Sequence, residues 1–114
     1  MRSGFEIELL PEAVDFLEKI DKKAREKIYY NMRKSQYIKD EELFKKLNDR
    51  IWEFRTLFNS ASYRLFAFWD RSGETETLIV ATHGILKKTN KTPWKEIQKA
   101  EEIRRQYFIK KKNQ

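Results

Sequence analysis

Two brief turn segments, Asn59-Ser60 and Arg71-Ser72-Gly73-Glu74, separate three runs rich in Trp, Phe, Tyr, Val, Ile and Thr. Runs of this composition read as strands over Ile51–Leu57, Ser62–Asp70 and Thr75–Ile85. Connections this short cannot carry a chain back parallel to itself, so the three strands are expected to form an antiparallel meander. That requirement fixes the centre of the fold, and the remaining segments must pack around it.

Phe5 to Leu9 alternates apolar residues with Glu6 and Glu8, the pattern of a half-buried strand. Pro11 suits the first position of a helix. Val14, Leu17, Ile20, Ala24, Ile28 and Met32 then recur at helical spacing, as one helix or as a helical hairpin with Asp21 capping the second member. Asp40-Glu41-Glu42 is expected to begin a short helix that turns Leu43, Phe44 and Leu47 inward. Thr92 is expected to cap a last helix, with Pro93 at its first position and Trp94, Ile97, Ala100, Ile103 and Tyr107 on its apolar face. No linker or repeat divides the chain. The expected architecture is a single α+β domain over residues 1–114: an antiparallel sheet of an N-terminal strand plus the meander, N-terminal helices on one face, a C-terminal helix, and a frayed tail at 110–114.

Aromatic residues make up 14% of the chain, which opposes disorder although 38% of residues are charged. No run approaches the roughly 18 apolar residues of a membrane span. The first residues, Met1 to Ile7, lack the apolar stretch of a signal peptide. With no cysteine there are no disulfides or thiolate metal sites, which fits a cytoplasmic setting. One histidine is too few for a zinc site, and no metal or other cofactor is expected. The net charge of +7 is uneven: residues 1–60 hold 13 basic and 12 acidic side chains, residues 61–114 hold 12 and 6. A basic excess confined to one half points to a polyanion or an acidic partner.

If Asn59 and Ser60 form the first turn, Arg55 lies opposite Arg64 on one face of the sheet. Centring the second turn on Ser72-Gly73 puts Arg64 opposite Ala81, with His83 one diagonal step away and Lys87 further along. The same face then holds Ile51, Phe66, Phe68 and Ile79 at its other end. Trp52, Phe54, Leu65, Ala67, Trp69, Leu78 and Val80 turn to the opposite face and its helices, as does Tyr63. The C-terminal helix is expected to cover the apolar zone and leave the cationic zone open. Two directly opposed arginines repel each other, so their pairing suggests an anion site. Pairing of Arg55 with Glu53 is the simpler structural alternative.

The segment His83-Gly84-Ile85-Leu86-Lys87-Lys88-Thr89-Asn90-Lys91-Thr92-Pro93 leaves a buried strand and at once presents lysines, threonines and the only histidine. Cationic and hydroxyl side chains beside an imidazole suit a phosphodiester, and RNA is the first substrate to consider.

Leu47, Ile51-Trp52-Glu53-Phe54-Arg55, Tyr63-Arg64, the segment from His83 to Pro93, and Glu96, Ile97 and Ala100 together resemble the RelE/ParE toxin superfamily. The similarity is greatest to its HigB-like, phage-derived branch, and it extends from Phe5 to Tyr107. It implies the toxin of a type II toxin–antitoxin pair: a metal-independent, ribosome-dependent mRNA endonuclease. Partners would be mRNA, the ribosome and a helix-turn-helix, HigA-like antitoxin. By the same resemblance Arg55 and Arg64 clamp the scissile phosphate, Lys87 or Lys88 completes the anion site, and one of these lysines or His83 moves the proton. Lys91, Lys95, Lys99 and Tyr63 would contact RNA or the ribosome. The chain departs from the family pattern at Phe54, usually leucine, and at Ile85, usually phenylalanine, which removes a possible base-stacking surface. It also lacks the late acidic-tyrosine-histidine cluster of better-known HigB toxins. A ParE-like inhibitor of DNA gyrase and a catalytically inactive RNA- or antitoxin-binding regulator are the competing functions on this fold.

Overall fold

Asn59 and Ser60 both adopt left-handed backbone conformations, with φ of 50° and 65°. A two-residue turn with positive φ at both positions matches the twist of the strands it joins. It locks strand β3 (Trp52–Phe58) to strand β4 (Ala61–Asp70) with Arg55 directly opposite Arg64, as expected. The computed structural model describes residues 4–73, 78–87 and 92–113. Its other elements are β1 (Glu6–Leu9), α1 (Pro11–Lys19), α2 (Lys22–Ser35), β2 (Phe44–Lys46), β5 (Leu78–Lys87) and α3 (Trp94–Lys112).

The strands form one sheet in the order β1-β5-β4-β3-β2. The meander β3-β4-β5 is antiparallel, and β1 adds parallel to β5, so the sheet is mixed. Pro11 opens α1 at its first position, and Asp21 caps α2 by accepting from the backbone N–H of Lys23 and Ala24. The hairpin α1-α2 buries Ala13, Leu17, Ile28 and Met32 against Phe54, Leu65, Ala67 and Ile79. On the other face α3 lays Ala100, Ile97, Tyr107 and Phe108 over Ile51, Phe66, Phe68 and Val80. No helix among the described residues is long and apolar enough to cross a membrane.

Several expectations need correction. The segment after Asp40 is a turn followed by β2 rather than a helix. Asp40 starts it as a cap would, accepting from Glu42 N–H through its side chain and from Leu43 and Phe44 N–H through its carbonyl. The short segment then pairs with β3 instead, where Phe44 stacks on Phe54 at 4.5 Å and on Trp52 at 4.8 Å. Helix α3 begins one residue later than expected, with Pro93 at the cap and no side-chain cap bond, and it continues through Lys112 into the basic tail. Trp94 is not on its buried face: it is 69% exposed.

The register of β5 also differs. Asp70 pairs with Leu78 rather than with Thr75, and Glu74–Thr77, which include the first residues of the expected strand, lie outside the described residues. A bulge then inserts Thr82: Phe66 pairs with His83 whereas Ala67 pairs with Ala81. One extra residue reverses the side-chain alternation on either side of it. Leu78 and Val80 therefore pack under α3, and Ile79 and Ala81 join the core under α1 and α2, the reverse of the expected assignment. Beyond the bulge Arg64 faces Ile85 rather than Ala81, and Ser62 faces Lys87. Lys87 stays on the arginine face because the shift there is an even number of residues.

Candidate functional site

Strand alternation gathers charged side chains on the α3 side of the sheet, at the end away from Phe68. Lys45 of β2 pairs across from Glu53 of β3, Arg55 of β3 from Arg64 of β4, and Ser62 of β4 from Lys87 of β5. Four cations thus share one face with one carboxylate. Glu53 is that carboxylate, and it is 1% exposed.

Glu53 organises the cluster. Its Oε2 lies 3.3 Å from Arg64 Nη1, and its Oε1 accepts a hydrogen bond of 3.2 Å from Thr92 Oγ1. Lys87 Nζ donates to the same Thr92 hydroxyl at 3.5 Å. Thr92 therefore does not cap α3, because its side chain is spent on this network. Arg64 Nε donates to Ser62 Oγ at 3.0 Å, and Arg55 Nη1 donates to the Glu41 carbonyl at 3.1 Å. Arg55 Nε and Arg64 Nη1 are buried and have no aligned hydrogen-bond acceptor among the described residues. The Glu53–Arg64 contact is thus an ion pair that leaves Nη1 poorly aligned for hydrogen bonding. Such donors retain capacity for an added anion, and a guanidinium takes phosphate oxygens two at a time.

Burial is the chief influence on both basic groups. It pushes the Arg64 guanidinium down, opposed by Glu53 and assisted by Arg55. It likewise lowers the Lys87 ammonium, helped by Arg64 and opposed by Glu53, with Arg55 and Lys45 adding to the repulsion. A lysine held among cations in a buried setting loses its proton more readily than a free one.

His83 follows on the same face, 3% exposed and stacked on Phe66 with ring centroids 4.9 Å apart. Its Nε2 lies 3.0 Å from Glu96 Oε1 of α3, and its Nδ1 lies 3.0 Å from Thr82 Oγ1. Both ring nitrogens are engaged, so the imidazole joins β5 to α3. Burial lowers its pKa, partly offset by Glu96. Next to it Gly84 faces α1, where a Cβ would overlap the ring of Phe16. Only glycine permits α1 to approach β5 so closely at this point of the motif.

The other expected contacts are scattered. Tyr63 turns to the α1-α2 core, edge-on to Phe16 at 6.5 Å. Lys95 is exposed on the first turn of α3, and Lys99 pairs with Glu12 at 2.7 Å. Lys88 and Lys91 lie outside the described residues. At the far end of α3, Asp70 is 2% exposed and accepts from Tyr107 Oη and Lys111 Nζ, each at 2.6 Å. Burial alone would raise the Asp70 carboxyl, but these bonds and those from Ser72 hold it well below the usual range.

Sequence reasoning missed two members of the site and gave a third the wrong partner. Glu53 entered as a partner of Arg55, two residues away on the same strand, whereas its ion pair is with Arg64 across the strand pair. Lys45 was hidden by the expected helix at 40–47, and Thr92 by its expected role as a cap.

The family described as phage derived protein Gp49-like (DUF891) matches this chain over residues 15–105. No curated protein matches it.

Proposed function

The chain belongs to the Gp49-like family of phage-derived proteins, within the RelE toxin-like superfamily, and from that premise we propose that it is the toxin of a toxin–antitoxin pair. Its proposed activity is metal-independent cleavage of mRNA on the ribosome. One observation carries the reading: Arg55, Arg64 and Lys87 converge on one sheet face, with guanidinium donors that lack aligned acceptors among the described residues.

In this reading the ribose 2′-hydroxyl attacks the adjacent phosphorus and the bond to the 5′-oxygen breaks. Lys87, its pKa lowered by burial and by Arg64, accepts the 2′ proton. Arg55 and Arg64 neutralise the charge that builds on the phosphorane oxygens. The leaving 5′-oxygen is protonated from water, and the products are a 2′,3′-cyclic phosphate and a 5′-hydroxyl. Lys88 would supply a further cation. His83, engaged at both ring nitrogens, serves better as the tie between β5 and α3 than as a proton carrier. Lys91, Lys95 and Lys99 would meet the RNA backbone, and the expected antitoxin is of the helix-turn-helix, HigA-like kind. The proposed setting is cytoplasmic.

A second reading has its own support. Glu53 already neutralises Arg64, which is 8% exposed, as it would in an inactive regulator that merely binds RNA or antitoxin. Primer extension on programmed ribosomes separates the readings. Cleavage by the wild type that is lost in Arg64→Ala supports the nuclease. Intact mRNA with inhibited gyrase supercoiling would establish the ParE-like function, and intact mRNA with unaffected gyrase would leave the regulator.

A further inference from the structure

The solvent face of α2 lies on the opposite side of the sheet from the cationic cluster, because Ala24, Ile28 and Met32 turn its other face to the core beneath Phe54 and Leu65. On that outer face Lys23, Lys27, Tyr30 and Lys34 recur at steps of four, three and four residues, one above another along the helix. Tyr30 is 59% exposed, and Lys27 Nζ sits 5.1 Å over its ring. Tyr37 continues the line past the end of the helix at 46% exposure, and Arg33 flanks it. None of Lys23, Lys27, Arg33 and Lys34 forms an ion pair with a described residue. Glu26 is the sole acidic residue within α2. An ordinary solvated helix mixes both signs and keeps its aromatic rings turned inward.

We propose that this stripe is a second nucleic-acid surface, which holds single-stranded RNA with its lysines on phosphates and with Tyr30 and Tyr37 beneath bases. The choice of side chains favours RNA over an acidic protein. Lysine is depleted in the cores of protein interfaces, whereas it serves as a point charge for phosphate. Tyrosine faces accept any base by stacking, which a strand of varied sequence requires. From Lys23 to Lys34 the stripe extends roughly 16 Å along the helix, enough for several nucleotides. The surface is separate from the cleaving face and does not depend on the proposed chemistry. It would give a second hold on RNA from the opposite side of the sheet.

The test uses the full chain and a labelled 2′-O-methyl oligoribonucleotide, which cannot be cleaved by attack of its own 2′-oxygen. Binding is followed by fluorescence anisotropy across a salt series. The triple variant Lys23→Gln, Lys27→Gln, Lys34→Gln should bind at least about tenfold more weakly, and the slope of log affinity against log salt should shrink by about two. Tyr30→Ala with Tyr37→Ala should bind more weakly with the slope unchanged, since stacking releases no counterions. Both effects should persist in an Arg64→Ala background, and circular dichroism melts confirm folding. A triple variant that keeps the parent's slope overturns the proposal. So does a tyrosine pair whose loss leaves affinity unchanged, and losses confined to binding of poly-glutamate would reassign the surface to an acidic protein.

Discussion

Glu53 and Arg64 form a buried ion pair at 3.3 Å, with side chains 2% and 9% exposed, on adjacent strands of the cationic face. The carboxylate offsets part of the repulsion among Arg55, Arg64 and Lys87 and occupies space where a phosphate would carry its own negative charge. Glu53→Gln keeps the shape and removes that charge. RNA affinity should rise at least about fivefold, since one like charge at such a separation repels the phosphate by about 1 kcal/mol even at the dielectric of bulk water. The thermal midpoint of the free protein should fall, because the cations lose their partner. Anisotropy and calorimetry on the same preparation read both. Unchanged RNA affinity would mean that phosphate does not approach this pair.

Lys87 gives a signed pH dependence. A base works only when deprotonated, so cleavage should rise with pH until the lowered pKa of Lys87 is passed, below the ordinary lysine value of about 10.4. Lys87→Arg retains the charge but cannot lose its proton in the accessible range. It should lower the single-turnover rate by about a hundredfold or more and abolish the rising limb. If Lys87→Arg cleaves like the wild type, the lysine is an electrostatic contact and the base lies elsewhere.

His83 makes stability depend on pH in a separate window. Burial depresses its pKa in the folded chain, so the unfolded chain binds the extra proton first as pH falls. Its contribution is complete above the unfolded value of about 6.5 and is lost as pH drops through the folded value. The depressed carboxyl of Asp70 acts only below about pH 4. Thermal midpoints measured between pH 7 and 5 should therefore decline, and His83→Gln should flatten that decline. A slope that persists in the variant would assign the effect to another group.

Gly84 and Phe16 should behave as a coupled pair. A methyl group at Gly84 meets the Phe16 ring, so Gly84→Ala should cost about 1–3 kcal/mol by overpacking and lower the midpoint by several degrees. In a Phe16→Ala background the same change should cost far less, a coupling above about 1 kcal/mol in a double-mutant cycle. Additive losses would show that α1 does not rest on this glycine.

The Asn59-Ser60 turn made the β3–β4 register legible, and with it the Arg55–Arg64 pair, because a two-residue turn leaves one pairing. The helical face was legible too, but it did not decide between one helix and a hairpin, because the apolar spacing continues across Asp21, which caps α2. The β4–β5 register was not legible, because Asp70 pairs with Leu78, three residues beyond the partner that a Ser72-Gly73 turn implies, and Thr82 enters as a bulge without a glycine to announce it. Strand β2 was read as helix because Asp40 begins a cap that is then overridden by stacking of Phe44 on Phe54 and Trp52. At the site, strand spacing revealed Arg55, Arg64 and Lys87 but not Lys45, and the role of Thr92 depends on a contact with Glu53, 39 residues away in sequence.

The nature of the RNA ends tests the central claim most directly. Product released from programmed ribosomes can be analysed by mass spectrometry, and its 5′ fragment should end in a 2′,3′-cyclic phosphate, with a 5′-hydroxyl on the other piece. Arg64→Ala should yield neither. A 3′-hydroxyl paired with a 5′-phosphate would contradict the account, because water rather than the ribose would then be the nucleophile.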